Sequence, residues 1–238
     1  MNNFADVLKE FAEKHHILLS EDNIRQFDYF RTQLLLWNEK TNLTNITEAR
    51  DFAIKHVVDS LMLIEHGDIR YGASIIDVGT GPGIPGLIIK MYRPDIKLTL
   101  LESVGKKTRF LDWIIGDMGI QNVEVINDRA ESLAHNPSYR EKFDVAVARA
   151  VAALNTLTEL CLPFVKVGGT FLAMKGKSPE EELVAAQHAM DILGGSFREC
   201  KKYYLDEGMP RSLIVIAKER ECPFKYPRRA GIPGKNPL

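Results

Sequence analysis

The stretch Ile75-Ile76-Asp77-Val78-Gly79-Thr80-Gly81-Pro82-Gly83-Ile84-Pro85-Gly86 limits what this chain can fold into more than any other. An apolar, β-type run stops at a carboxylate and a glycine cluster follows, the pattern of a buried strand opening into a backbone-lined loop and then a helix. Glycines at alternate positions allow φ > 0 and bring the main chain close to a ligand without a Cβ clash, while the next helix offers unpaired N–H groups. One plain turn does not need so many glycines, so the loop reads as a cofactor cradle. Gly81, Gly83 and Gly86 fit the spacing of a dinucleotide fingerprint, with Glu102 near the place of its ribose-binding carboxylate. Two features oppose a pyrophosphate: Pro82 and Pro85 remove N–H donors from the turn, and Asp77 sets a negative charge just before it. A cationic ligand suits that charge better.

From Ala73 onward strands and helices alternate, which predicts a mostly parallel sheet covered on both faces. Strands are expected at 74–78, 96–101, 123–126, 143–148 and 170–174, followed by an antiparallel pair at about 196–205 and 212–218. In such a sheet ligands lie beyond the carboxyl ends of the strands at the topological switch point. Asp77, Gly79, Glu102, Ala130, Glu131 and Arg149 all fall just past a strand or its following turn, on one rim. Glu102 suits a ribose because a carboxylate accepts from both hydroxyls. Arg149, beside a strand of Val and Ala, must have a partner; Asp77, Glu131 or a carboxylate of the ligand is expected to hold it in an organising role. Ser178-Pro179-Glu180-Glu181 reads as a capping box opening a helix of about 178–192.

Upstream, residues 4–15, 20–39 and 48–65 read as amphipathic helices, with Ser20 as an N-cap and Ile24, Phe27, Phe30, Leu34 and Trp37 as a buried stripe. Trp37 is expected in the core rather than as a base-stacking platform. His56 and Asp59, one helical turn apart, read as a structural hydrogen bond. The organisation is then a helical extension over 1–70, a ligand-binding domain over 71–219 and a tail over 220–238.

Composition narrows the function classes. The N-terminus is polar, and no apolar run approaches the ~20 residues of a membrane span, so a soluble cytoplasmic protein is expected. Cys161, Cys200 and Cys222 show neither disulfide pairing nor zinc spacing, and no metal site is expected. The net charge of −1 divides into −4 over residues 1–70, −1 over 71–217 and +4 over 218–238. In that basic tail Lys218, Arg220, Lys225, Arg228, Arg229 and Lys235 are interleaved with Phe224 and Tyr226, cations for phosphates beside rings for bases, as a structured RNA requires. The tail is expected to be separable from cofactor binding.

Asp-x-Gly-x-Gly-x-Gly after a first strand resembles motif I of the class I S-adenosylmethionine (SAM) methyltransferases. Together with Trp37-Asn38, Asn42-Leu43-Thr44, His56 with Asp59-Ser60-Leu61, Arg149-Ala150, Leu172-Ala173-Met174-Lys175-Gly176 and Tyr226-Pro227-Arg228-Arg229-Ala230-Gly231-Ile232-Pro233, it resembles the bacterial small-subunit ribosomal RNA methyltransferase G family, also called glucose-inhibited division protein B. The resemblance implies a class I, Rossmann-like α/β fold with a mostly parallel seven-stranded sheet, helices on both faces and an N-terminal helical extension. It implies SAM as cofactor and methylation of guanine N7 in the 530 loop of 16S rRNA, free or within the 30S subunit or its precursor. Cofactor contacts are expected at Asp77, Gly79, Gly81, Ile84, Glu102, Ala130, Glu131 and Arg149, and RNA contacts at Lys106, Arg109, Lys175, Lys225, Arg228, Arg229 and Lys235. A monomer is expected. Guanine N7 carries an in-plane lone pair, so no general base is required. Asn136-Pro137-Ser138-Tyr139 resembles an amine-methyltransferase motif but precedes the fourth strand and reads as a turn, and Cys161 is poorly placed as a nucleophile. The alternatives are a SAM enzyme acting on another RNA site or a small molecule, a nicotinamide oxidoreductase, and an RNA-binding protein without activity.

Overall fold

In the computed structural model, which describes residues 3–149 and 152–238, a seven-stranded sheet has the order β3-β2-β1-β4-β5-β7-β6. The strands are β1 (Ser74–Val78), β2 (Lys97–Glu102), β3 (Val123–Asn127), β4 (Phe143–Arg149), β5 (Val165–Lys175), β6 (Gly195–Tyr204) and β7 (Pro210–Lys218). The first five run parallel, and β7 is antiparallel to both β5 and β6. The chain winds outward from β1 to β3 and returns to β4 on the other side of β1, so the switch point lies between the carboxyl ends of β1 and β4. Ala150, part of the Arg149-Ala150 pair, lies outside the described residues.

The central strands β1, β2 and β4 are apolar because both faces are covered, whereas the edge strands β3 and β6 are more polar and partly exposed. Along β1, Ile75 joins one core and Ile76 the other; along β4, Val145 and Val147 face the first and Ala146 and Ala148 the second. The first core is closed by α1 (Phe4–Lys14), α2 (Glu21–Thr41), the helix that begins as α3 (Ala49–Phe52) and ends as α4 (Asp59–His66), and by α5 (Gly86–Tyr92) and α6 (Gly105–Asp117). The second lies under α7 (Ala130–Leu133), α8 (Leu154–Cys161) and α9 (Glu180–Leu193). The N-terminal helices therefore share a core with the sheet.

Ser20 caps α2 as its sequence predicts, accepting from the Asn23 amide at 3.1 Å. Trp37 packs against Trp113 (5.3 Å between centroids) and Phe110 (5.6 Å) at the junction of α2 and α6, which makes it a packing residue. The Ser178 cap does not form. Ser178 adopts φ 62°, Pro179 precedes the helix, and α9 begins at Glu180 without a side-chain cap. The first turn of α9 carries Glu180, Glu181 and Glu182, whose charges favour the helix N-terminus in its place.

Between α3 and α4, Ala53–Val58 forms a π-helical turn. The amide of Asp59 donates to the carbonyls of Ile54 and His56 rather than to that of Lys55, its partner in an α-helix. The Lys55 carbonyl is thus left for another donor.

The tail is not a free arm. Arg228 forms a bidentate pair with Glu159, whose side chain is fully buried in α8 (2.6 and 2.9 Å), and its backbone amide donates to the same carboxylate at 2.8 Å. Arg140 holds the carbonyls of Cys222 and Tyr226, His135 meets that of Pro227, and the last helix, α10 (Ile232–Lys235), is tied to α8 by Thr156 donating to the Pro233 carbonyl.

Candidate active site

The loop after β1 is built around Asp77. Its Oδ2 accepts from the Thr80 hydroxyl at 2.6 Å and the Gly86 amide at 2.8 Å, so the carboxylate staples the loop to the first turn of α5. Gly86 must be glycine for this, since a Cβ would lie 2.6 Å from Leu100 and 2.8 Å from Asp77 Oδ2. Gly79, Gly81 and Gly83 all have positive φ (72°, 62° and 94°), the conformation their spacing predicts. Burial raises the Asp77 pKa to about 6, with Glu102 adding to the rise and the bonds from Thr80 and Gly86 opposing it. Its second oxygen, Oδ1, is buried and has no hydrogen-bond partner among the described residues.

Glu102 ends β2 beside this loop. One oxygen accepts from the Gly81 amide (3.0 Å) and the other from Val104 (2.9 Å), with Lys107 at 3.6 Å. The cradle and the carboxylate predicted to act together are therefore directly bonded. A cavity of about 130 Å³ adjoins them, lined by Gly79, Ser103, Asp128, Ala130, Glu131 and Leu160 among others. Ile84 is buried under the loop, its amide bonded to the Thr80 carbonyl.

A second, larger cleft of about 600 Å³ opens at the end of β4. Arg149 crosses its floor, donating to the freed Lys55 carbonyl (2.7 Å), to His56 Nδ1 (3.1 Å) and, more weakly, to Asp59 Oδ2 (3.4 Å). The anion that holds Arg149 is thus Asp59, not Asp77 or Glu131, because the π-helical turn brings the N-terminal helix over the sheet edge. His56 and Asp59 do not bond one another; Arg149 bridges them. Since a guanidinium only donates, His56 Nδ1 must accept and Nε2 carries the proton, which points to Thr44 Oγ1 at 3.0 Å. Burial first, and the Arg149 charge second, lower the His56 pKa to about 3, so the ring is neutral. Asn38 braces the Thr44 loop by accepting from the amides of Leu43 (2.6 Å) and Thr44 (2.9 Å).

Arg211 completes the cleft, with Nε 3.5 Å from Asp59 Oδ1. The sequence carries no local signal for it, since its partner is supplied by a distant helix. Lys175 lies in the cleft wall but is engaged by the Ala152 carbonyl (2.7 Å) and Glu182 (2.6 Å). Of the other residues expected at RNA, Lys106, Arg109, Lys225, Arg229 and Lys235 are exposed, whereas Arg228 is held by Glu159. Lys218 is buried against Glu141, and of the two tail rings Phe224 is exposed and Tyr226 buried.

Residues 23–206 match the family model described as rRNA small subunit methyltransferase G. The chain belongs to that family. Among its relatives, the ribosomal RNA small subunit methyltransferase G of Moorella thermoacetica is 45% identical over 98% of this chain and 97% of its own length. That of Pelotomaculum thermopropionicum is 45% identical over the full length of both. A SAM-dependent methyltransferase from Aquifex aeolicus superposes with a TM-score of 0.52 at 14% identity, covering 70% of this chain and 92% of that one, and shows the shared fold. The rRNA methyltransferase G family uses SAM, and the residues present fit such a group: a glycine cradle in left-handed backbone, a carboxylate at the end of β2, and a buried acceptor, Asp77 Oδ1, without a partner among the described residues. Among the described residues, no helix is long and apolar enough to cross a membrane.

Proposed function

We propose that this methyltransferase modifies N7 of a guanine in the 530 loop of 16S rRNA, and that the base enters the cleft of His56, Asp59 and Arg149. The observation that carries this is that His56, the imidazole in the cleft, is not free to take a proton, because its Nδ1 already accepts from Arg149 while burial and the Arg149 charge hold the ring neutral. Of the carboxylates lining the cleft, Glu182 is paired with Lys175, and Asp59 lies beside the guanidinium groups of Arg149 and Arg211, which oppose the rise that burial gives its pKa. Methylation of an exocyclic amine needs a proton acceptor, whereas guanine N7 presents a free lone pair and loses no proton. A cysteine route is equally unsupported: Cys161 is buried, and burial pushes its thiol well above its ordinary pKa. Asn136–Tyr139 forms a turn ahead of β4, away from the rim.

When bound, SAM supplies an electrophilic methyl group. In this reading Gly79, Gly81, Ile84, Ala130 and Glu131 shape its cradle, Glu102 takes the ribose hydroxyls on its remaining lone pairs, and Asp77 presents a negative acceptor to a cationic end. Arg149 holds the cleft in shape while Asp59 cancels its charge, so the purine can become cationic without a bare guanidinium facing it. Exposed Lys106, Arg109, Lys225, Arg229 and Lys235 supply phosphate contacts. Incubating the protein with SAM and rRNA from cells lacking the gene, then mapping the product by borohydride–aniline cleavage and mass spectrometry, tests the reading. One 7-methylguanine in the 530 loop is expected; a methyl group on any other atom overturns it.

A further inference from the structure

The cleft does not stop at Arg211. A second hollow of about 220 Å³ shares Gly176 and Arg211 with it and runs over the end of the sheet to Lys177, Tyr203 and Tyr204. Its walls come from the end of β6 and the start of β7, held in register by the antiparallel ladder that ends at Tyr204↔Pro210, and from the segment 176–180 that leads from β5 into α9. Tyr204 is 65% exposed, a large ring on a rigid strand with little packed against it. Lys177 is exposed and makes no ion pair among the described residues. Lys202, beside them, is paired with Glu180 at the surface.

We propose that this hollow is a subsite for a nucleotide flanking the target guanine, with Tyr204 stacking its base and Lys177 meeting its phosphate; this rests on the reading that the cleft receives a guanine of rRNA. A base reaches the deep cleft only if it is turned out of its strand, and the strand must then continue across the adjoining surface. Exposed aromatic rings beside cations are what unstacked RNA bases and their backbone bind. Gly176 and Arg211 line both spaces, and Lys177 and Tyr204 line the hollow beside them, so one continuous single strand can occupy both. Lys202 contributes less, since a phosphate must first displace Glu180.

The test measures equilibrium binding and methyl transfer with 16S rRNA isolated from a strain lacking the gene. The double variant Lys177→Gln/Tyr204→Ala is expected to bind this rRNA about tenfold more weakly and to raise its KM to the same extent, with kcat and SAM affinity unchanged. Tyr204→Phe keeps the ring and is expected to match wild type, which a role for the hydroxyl in holding the strand would not permit. In 4-thiouridine-substituted rRNA, cross-links are expected within residues 202–212. Wild-type affinity in the double variant, or cross-links that avoid this segment, overturns the subsite whatever the methylation result. Failure of wild type to methylate N7 is a separate outcome that strikes the function proposed above.

Discussion

At the scale of single residues the site rests on two buried carboxylates with different partners. Asp59 is matched by Arg149 and Arg211, so removing Arg149 leaves Asp59 underpaired and strips His56 Nδ1 and the Lys55 carbonyl of their donor. Arg149→Ala is therefore expected to lower thermal stability by about 3 kcal/mol, Arg211 softening the loss, and to cut turnover about 100-fold. Arg149→Lys should recover only part of both, because one ammonium cannot serve three acceptors in a plane; full rescue by Lys in a methylation assay would show that charge alone suffices. Asp77 behaves differently, its pKa raised to about 6 by burial. A cationic cofactor favours the ionised form, so SAM affinity should fall as pH drops through about 6, and binding there should release a proton, readable by calorimetry in buffers of different ionisation heat. A pH-independent affinity between 5 and 7 would separate Asp77 from the cofactor. His56 gives the opposite sign to Asp77 in stability. Its folded pKa of about 3 lies below the ordinary 6.5, so the unfolded chain binds the extra proton and stability is lost as pH falls from 6.5 towards 3. Asp77 binds its proton preferentially in the folded state and offsets part of this between about 6 and 3.8. His56→Gln, which can still accept from Arg149, should flatten the acid limb of the stability profile; an unchanged limb would mean that folding leaves the His56 pKa where it is in the unfolded chain.

At the scale of elements, what the sequence made legible was whatever depends on neighbours along the chain. The loop after β1 follows from glycine spacing, and Ser20 from its place before an amphipathic stripe. The π-helical turn was not legible, since one bond skipped at Lys55 leaves no trace in composition, yet it delivers the carbonyl that seats Arg149. The composition of the tail misleads in part for a related reason. Six cations in a short segment look like an RNA arm, but nothing local announces that Glu159 waits in α8 for one of them. Deleting residues 220–238 therefore does more than weaken RNA binding. It leaves Glu159 buried without a partner and removes the Gly231 amide from Glu131, which lines the cavity beside the cradle. Such a truncation is expected to cost about 3–5 kcal/mol and to reduce SAM affinity. Arg228→Ala alone should reproduce most of the stability loss, whereas Arg229→Gln with Lys235→Gln, both on exposed residues, should leave the melting temperature unchanged and only make the salt dependence of rRNA binding shallower. Equal melting temperatures for Arg228→Ala and wild type would show that the tail is not anchored through Glu159.

At the scale of the whole molecule, the division into a helical extension and a catalytic domain was read from a change of pattern near residue 70, and the packing argues for a closer union. Thr44, His56 and Asp59 belong to the first part and Arg149 and Arg211 to the second, so the cleft exists only where the two meet. Long-range pairing of this kind is invisible to periodicity, which reports the face a residue uses but not the element that face meets. The shared core says the same in energetic terms: Phe30 and Trp37 of α2 pack on Phe110 and Trp113 of α6, and the same cluster continues to Ile75 and Leu172 inside the sheet. We infer that the extension and the sheet unfold as one cooperative unit. The chain's two tryptophans are Trp37 and Trp113, their rings 5.3 Å apart across this junction, so indole fluorescence reports undocking of the extension while far-ultraviolet circular dichroism reports loss of the sheet and helices. The two signals are expected to change at the same denaturant concentration, and SAM is expected to move both midpoints upward together, because a ligand that binds only the folded state stabilises every part folded with it. A fluorescence transition that precedes the dichroism transition, and that SAM leaves in place, would mean that the extension is a separately folding lid and that the cleft can be taken apart without unfolding the cradle.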